Sequence, residues 1–317
     1  MKNMWLFVFL AAFSFNSNSF EKGINLHIKR YGGDPQFYIN LAKEYGFTSV
    51  RDDYSWNLVQ HDGKNFGMYG DLKKSDYFFS KRNPLSKVLI LGYGNSFLTK
   101  NNYPANQSEV EAFSEYVKFT VLRYKGSVRY YEIWNEWLYG TGIPFKTVVP
   151  EPGVFFNLVA KSSKVIRQYD PNAIIIIGSI NPFKDRERVW MDTLIDRGVL
   201  NYIDGISLHP YSYGNPDLKM RNPINNLNEI DNYESYLKSK TNKDVPLYIT
   251  EFGYTSYKGK NSTPPELIFK YMNIYMDEAR KRTFIKGVWW YDLIDDGTDV
   301  NNREHHFGIL NKNFKVK

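Results

Sequence analysis

The chain has 317 residues, of which 17% are aromatic and 24% are charged, and its formal net charge is +7 at pH 7. It contains no cysteine, which excludes disulfide bonds, a thiol nucleophile and a cysteine-ligated metal site. Its basic residues are scattered along the chain, and no zinc-finger spacing or basic arm indicates nucleic acid binding.

The first residues predict an export signal. A short positive start, Met1-Lys2-Asn3-Met4, precedes an apolar run over residues 5–13, and Ser17-Asn18-Ser19 offers small residues for cleavage. A membrane anchor or a buried first helix is the alternative, but the run is too short to span a bilayer comfortably. We therefore expect residues 1–19 to be a signal peptide and residues 20–317 to form one domain without a membrane span. The protein is then expected to be periplasmic or secreted.

Eight short apolar runs predict β-strands. Several are apolar throughout, as in Ile174-Ile175-Ile176-Ile177, which is typical of parallel strands that are covered on both faces. The predicted strands are Phe20–His27, Thr48–Asp53, Lys87–Tyr93, Val128–Asn135, Ala173–Ile180, Ile203–His209, Pro246–Glu251 and Gly287–Asp292.

Amphipathic stretches between these runs predict α-helices. In one of them the apolar residues form a single stripe, and Ser108 with Glu111 resembles a capping box. The predicted helices are Pro35–Tyr45, Asp71–Phe79, Ser108–Tyr124, Gly153–Tyr169, Glu187–Asp196, Asn226–Ser239 and Pro265–Arg282. Strands that alternate with helices in this way predict an α/β protein with the (β/α)8 TIM barrel fold.

One part of the barrel pattern is missing. The residues after the eighth predicted strand contain Glu304-His305-His306-Phe307-Gly308 and leave no room for a regular eighth helix. We therefore expect a barrel that lacks this helix. Three explanations stay open: a protein partner docks on that face, an end of the chain covers it, or the chain is shortened.

Two of the predicted strands each end on a glutamate. The run Tyr131–Trp137 contains Asn135 followed by Glu136, and the run Val245–Gly253 contains Glu251. In a parallel barrel the carboxyl ends of all strands meet at one face, so the two side chains are expected to lie close together. Hydrolysis of a glycosidic bond requires such a pair, one acid at the leaving oxygen and one carboxylate at the anomeric carbon.

Seven short stretches, spread from the first predicted strand to the eighth, carry a family resemblance. They are Gly23-Ile24-Asn25-Leu26-His27, Val50-Arg51-Asp52-Asp53, Leu91-Gly92-Tyr93-Gly94-Asn95, Glu132-Ile133-Trp134-Asn135-Glu136, His209-Pro210-Tyr211, Thr250-Glu251-Phe252-Gly253 and Trp289-Trp290-Tyr291-Asp292-Leu293. With them the chain resembles clan A glycoside hydrolases, which are retaining (β/α)8 enzymes. It resembles families 39 and 5 most, especially the bacterial glycosidases encoded in exopolysaccharide and capsule loci.

The resemblance implies roles for seven residues. Glu136 would be the acid/base and Glu251 the nucleophile. The implied supporting contacts are hydrogen bonds to the nucleophile from Arg51 and Tyr211, sugar contacts by Asn135 and His209, and a platform beneath the sugar ring formed by Trp290.

The expected surroundings of the two acids differ. An arginine beside Glu251 would keep that carboxylate ionised, and a drier setting would keep Glu136 protonated. Glu132 shares a strand face with Glu136, so it is expected to be a buried structural acid that pairs with Arg51. His305 and His306 lack a nearby third ligand in the sequence, so no metal and no cofactor are expected.

These observations predict a retaining glycoside hydrolase that cuts a bacterial surface or secreted polysaccharide within its chain by a two-glutamate double displacement. Two alternatives come from other functional classes. One is a carbohydrate-binding barrel without catalysis, and the other is a component of polysaccharide export that docks a partner where the eighth helix is missing.

Overall fold

Eight parallel strands close into a barrel in the order of the chain. The structure, a computed structural model, describes residues 20–141 and 149–317; the predicted signal peptide lies outside these residues. The predicted (β/α)8 TIM barrel is confirmed. Its strands are β1 Glu21–Asn25, β2 Ser49–Ser55, β3 Ser86–Gly92, β4 Tyr130–Ile133, β5 Ile174–Ile180, β6 Gly205–Leu208, β7 Leu247–Phe252 and β8 Ile285–Trp290.

The helices follow the predicted pattern with one addition and one corrected cap. They are α1 Pro35–Glu44, α2 Trp56–Val59, α3 Leu72–Phe79, α4 Gln107–Tyr124, α5 Pro152–Tyr169, α6 Asp185–Asp196, α7 Pro223–Thr241 and α8 Pro265–Arg280. The short α2 was not predicted. The predicted capping box at Ser108 is wrong, because Asn106 caps α4 by accepting a hydrogen bond from the Glu109 amide. Among the described residues, no helix is both long and apolar enough to cross a membrane.

The described residues after β8 form no α-helix, only the 3₁₀ turn Arg303–His306. The expected lack of a regular eighth helix is therefore confirmed. Leu310 makes isolated bridges to Ile294 and Val316, and the ring of Phe314 packs 5.3 Å from that of Phe37 on α1. The last residues of the sequence thus contact the helix that borders the gap.

The interior of the barrel has an apolar layer beneath a polar one. Trp289 is fully buried in the apolar layer, where its indole nitrogen donates to Ser49 Oγ at 2.9 Å. Its neighbours in that layer are Val88, Tyr130, Ile176 and Tyr248. The large indole fits because the nearby backbone carries glycine, and β1 pairs with β8 so that Gly23 stands beside Trp289.

Replacing Gly23 tests this packing. In Gly23→Ala the new Cβ would lie 2.2 Å from Cδ1 of Trp289, and a buried indole has no free space into which to move. We expect the free energy of unfolding, measured by urea denaturation, to fall by ~1–3 kcal/mol. Gly32→Ala is the matched control, because no atom lies within 4 Å of its added Cβ. Equal stability of the two variants would contradict the packing argument.

Candidate active site

The two glutamates predicted from the strand ends meet at the carboxyl rim of the barrel. Glu251 lies on β7, and Glu136 lies in the turn that follows β4. One oxygen of Glu136, one of Glu251 and a ring nitrogen of His209 all lie within 4.8 Å of one another. The rim therefore holds two carboxyl groups side by side with a histidine between them.

The turn after β4 directs Glu136 into this group. Trp134 and Glu136 have positive φ angles of 65° and 48°, a conformation that costs a non-glycine residue ~1–2 kcal/mol. Packing maintains it, because the indole of Trp134 is buried 4.9 Å from that of Trp137 and 5.6 Å from the ring of Tyr103. The Glu136 carboxyl then accepts a hydrogen bond from Thr141 Oγ1 at 2.9 Å.

Two donors hold the carboxyl group of Glu251. Arg51 Nη1 donates to Oε2 at 3.1 Å, and the Tyr211 hydroxyl donates to Oε1 at 2.9 Å. Both contacts were implied by the family resemblance. With each oxygen fixed by one donor, the carboxyl group has a defined orientation.

Arg51 connects Glu251 to the polar layer of the barrel. Its Nε donates to Glu132 Oε2 at 2.7 Å, its Nη1 also donates to Asn25 Oδ1, and its Nη2 donates to Asn135 Oδ1, both at 2.8 Å. Burial opposes its charge, but Glu132 and Glu251 outweigh that effect and raise the pKa of Arg51 further. The structure confirms that Glu132 is a buried acid paired with Arg51.

His209 links the two glutamates to a buried hydrogen-bond chain. Its Nδ1 lies 3.1 Å from Glu136 Oε1 and 3.7 Å from Glu251 Oε2. Its Nε2 lies 3.1 Å from Thr250 Oγ1, whose hydroxyl donates to Glu132 Oε1. Because the hydroxyl proton of Thr250 points to Glu132, its oxygen accepts from His209, and Nε2 therefore carries a proton. The contact between Nδ1 and Glu136 then needs a proton of its own, held either by the ring or by the acid.

The charges around these groups place that proton on the histidine side. Burial disfavours a charged ring, but the carboxylates of Glu251 and Glu136 outweigh it and raise the pKa of His209. Burial raises the pKa of Glu136, but the hydrogen bond to His209 and the charge of that ring outweigh burial and lower the pKa below its ordinary value. Burial and the Glu136 carboxylate raise the pKa of Glu251, and they outweigh the charges of His209 and Arg51, which lower it.

The expected arginine beside Glu251 is present, but the drier setting expected for Glu136 is wrong. The Glu251 side chain is 14% exposed and that of Glu136 is 24% exposed, so Glu251 is in the drier setting. To act as an acid, Glu136 needs a proton. In the free site that proton lies in the hydrogen bond between Glu136 and His209.

The prediction for Trp290 also needs correction. Trp290 is fully buried and packs against Phe252, Tyr254 and Tyr275, so no sugar can reach its face. Tyr291, which the sequence analysis did not select, lines the rim, and its hydroxyl lies 3.2 Å from His27 Nε2. Strand alternation places Tyr291 on the same side as Trp289, which faces the barrel interior, and Trp290 on the opposite side. The sequence alone does not show which of the two tryptophans faces inward.

The remaining predicted sugar contacts have a mixed placement. Asn135 Oδ1 accepts a hydrogen bond from Arg51 Nη2, and Asn135 lines the cavity on the β1–β2 side of the glutamates. His209 is 2% exposed, and both of its nitrogens face protein groups. A sugar contact through a free nitrogen of His209 is therefore not available in this arrangement.

Two cavities meet at the glutamates. The larger, of about 510 Å³, is bordered by residues after β4, β5, β6 and β8, among them Tyr139, Phe183, Tyr213 and Arg303. The smaller, of about 230 Å³, is bordered by residues on or after β1, β2, β3, β4 and β8. Glu136 and Glu251 border both cavities, so a molecule lying across the rim would pass directly over them.

Comparison with known proteins identifies the family. Residues 14–292 match the profile of Cellulase (glycosyl hydrolase family 5). No protein of curated function matched the sequence.

Solved structures share the fold at low sequence identity. A family 39 glycoside hydrolase from Bacteroides cellulosilyticus WH2 superposes with a TM-score of 0.72 at 21% identity, over 95% of this chain and 61% of that one. A GH5_18 protein from Streptomyces cattleya, solved with Manβ1-4GlcNAc, gives a TM-score of 0.72 at 13% identity, over 94% of this chain and 78% of that one. An exo-β-1,4-mannosidase from Opitutaceae bacterium strain TAV5 gives a TM-score of 0.67 at 14% identity, over 95% of this chain and 59% of that one. This chain thus spans about three fifths of the length of the first and third of these proteins.

The raised pKa of His209 predicts a pH-dependent contribution to stability. A histidine whose pKa is higher in the folded state stabilises the fold below its unfolded value, and the effect is lost as the pH rises through the folded value. We expect His209→Gln to lower the free energy of unfolding more at about pH 5.5 than at about pH 9, since the ordinary pKa is about 6.5. Urea denaturation at both pH values is the measurement.

The control for this experiment is His61→Gln, which removes an exposed histidine that contacts only the ring of Tyr69 among the described aromatic residues. A His209→Gln effect that grows toward high pH would show that the ring is neutral in the folded protein.

Proposed function

This chain belongs to glycosyl hydrolase family 5, and from that membership we propose that it is a retaining glycosidase. Glu251 is the nucleophile and Glu136 the acid/base. The substrate we propose is a bacterial surface or secreted polysaccharide, cut within its chain.

The separation of the two acids is the observation that carries the mechanism. Retaining enzymes place their carboxyl groups about 5–5.5 Å apart, whereas inverting enzymes leave about 6.5–9.5 Å for a water molecule. Here oxygens of Glu136 and Glu251 approach within 4.8 Å. This close approach is nearer to the spacing of retaining enzymes and supports direct attack by a carboxylate.

The reaction proceeds in two displacements. Glu251 attacks the anomeric carbon, and the bond from that carbon to the leaving oxygen breaks as Glu136 protonates the oxygen. The proton comes from the hydrogen bond that Glu136 shares with His209. Glu136, now ionised, takes a proton from water, the resulting hydroxyl attacks the anomeric carbon, and the bond to Glu251 breaks.

The two cavities support cleavage within a chain. The smaller cavity contains Asn135 and Arg51 and has room for about one sugar, so it suits the residue whose anomeric carbon is attacked. The larger cavity lies on the side of Tyr139 and Tyr213, where a leaving segment of several sugars would fit. Aromatic rings on that side offer apolar faces for stacking.

A location outside the cytoplasm is also part of the proposal. The apolar start of the sequence supports export, and a surface or secreted polysaccharide would then be within reach. Amino-terminal sequencing of the exported protein tests this, and a start far from Phe20 would contradict it.

A covalent adduct on Glu251 tests the mechanism. The purified protein is incubated with a panel of activated 2-deoxy-2-fluoro glycosides and analysed by intact mass and peptide mapping. We expect a stable adduct on Glu251 that is absent in Glu251→Gln. Glu136→Ala should lower turnover by a factor on the order of 10²–10⁴, and added azide should restore it by replacing the water that needs a base.

The outcomes separate the alternatives. An adduct on another residue would contradict the assignment of Glu251. If wild type and Glu136→Ala release the same amounts of product from candidate polysaccharides, the protein is a carbohydrate-binding barrel. Early products of intermediate length support cleavage within the chain, whereas release of single sugars alone would contradict it.

A matched pair of aromatic variants tests whether Tyr291, and not Trp290, contacts the sugar. We expect Tyr291→Ala to lower kcat/KM by about tenfold or more, equivalent to ~1.4 kcal/mol of transition-state stabilisation, because it removes a wall of the smaller cavity. Trp290→Phe should leave kcat/KM unchanged and lower stability by ~1–3 kcal/mol through lost packing. Steady-state kinetics and urea denaturation give both quantities. Loss of kcat/KM in Trp290→Phe but not in Tyr291→Ala would show that Trp290 contacts the sugar.

A further inference from the structure

Asp292 carries a buried carboxyl group without a hydrogen-bond partner. It is 1% exposed, and no group in the described part of the chain donates to either of its side-chain oxygens. An uncompensated charge in such a place costs several kcal/mol. Among the described residues no cationic side chain forms an ion pair with Asp292, so its carboxyl group is available to a positively charged ligand.

The cationic side chains in the vicinity serve other acids. Lys317 Nζ pairs with Asp295 Oδ1 at 2.5 Å. Arg30 has a side chain that is 68% exposed, and its Nη1 lies 3.6 Å from Asp296 Oδ2. Neither of these ion pairs includes Asp292.

Side chains of types that bind metal ions lie near the Asp292 carboxyl group. A ring nitrogen of His27 and single oxygens of Asp292 and Asp296 all lie within 4.8 Å of one another. His27 Nε2 is 3.5 Å from Asp296 Oδ2. The Tyr291 hydroxyl oxygen is 3.2 Å from that nitrogen and 3.5 Å from that oxygen.

These spacings match the edges of a tetrahedron around a small cation. With metal–ligand bonds of about 2.0–2.1 Å, neighbouring ligand atoms lie ~3.3 Å apart. The three measured distances between His27, Asp296 and Tyr291 are 3.2, 3.5 and 3.5 Å. The Asp292 oxygen lies within 4.8 Å of the His27 nitrogen and of the Asp296 oxygen, so a small movement of its carboxyl group would bring it to an ion at the centre, and two carboxylates would balance the double charge of that ion.

We propose that His27, Asp292 and Asp296 bind a first-row divalent transition-metal ion of the zinc or manganese type. The imidazole ligand favours these ions over calcium and magnesium, which select oxygen ligands. The Tyr291 hydroxyl or a water molecule occupies the fourth position.

The ion would join the end of β1 to the segment after β8, where no regular helix bridges these elements. His27 and Tyr291 both border the smaller cavity. Bound metal would therefore fix the wall of this cavity and the orientation of Tyr291, a positioning role outside the reaction itself.

Metal content and thermal stability test the proposal. The full chain is purified without a histidine tag, treated with a chelator and dialysed against ZnCl2 or, separately, MnCl2. We expect about one ion per chain by mass spectrometry, as for a site with three protein ligands, and a Tm that rises with metal concentration. In Asp292→Asn, which keeps the shape of the side chain, affinity should fall by a factor on the order of 100 or more.

Two further variants make the result decisive. Asp296→Asn removes a partly exposed ligand and should lose the ion while it still folds, in case Asp292→Asn does not. Glu251→Gln alters the other histidine and carboxylate group, formed with Glu136 and His209, and should keep the ion. Absence of bound metal in the wild type, equal binding by Asp296→Asn and the wild type, or loss of the ion only in Glu251→Gln would overturn the proposal.

Discussion

The buried guanidinium of Arg51 is the interaction on which the rest of the site depends. It is 2% exposed and makes hydrogen bonds to Asn25, Glu132, Asn135 and Glu251. A buried cation requires nearby negative charge, and here the carboxyl groups of Glu132 and Glu251 both lie within ion-pair distance of it. The proposed nucleophile thus belongs to the charge balance of the barrel, so its position follows from the stability of the fold.

The sequence was informative wherever a single physical pattern determined the outcome. Continuous apolar runs such as Ile174–Ile177 can only be satisfied between two layers, and all eight predicted strands are present. Glu136 and Glu251 were found because each follows such a run directly, and parallel strands bring their ends to one rim. The lack of a regular eighth helix among the described residues was also predicted.

The errors arose where side chains from distant parts of the chain decide the result. Two adjacent tryptophans look alike in a sequence, but the register of β8 directs Trp289 inward and Trp290 against α8. The acid strengths of Glu136 and Glu251 depend on which one His209 bonds more closely, and that distance is set by three strands. The α4 cap was misplaced by two residues because Asn106 and Ser108 are both good capping residues.

The aromatic cluster behind Glu136 separates the packing of the β4 turn from the loops that border the larger cavity. Trp134, Trp137 and Tyr103 hold the β4 turn from the protein side, whereas Tyr213 and Arg303 border the larger cavity from separate loops. If the proposed glycosidase activity holds, new side chains in those loops would change the shape of the larger cavity while the β4 turn keeps its own packing. Directed evolution of substrate range would therefore begin in those loops.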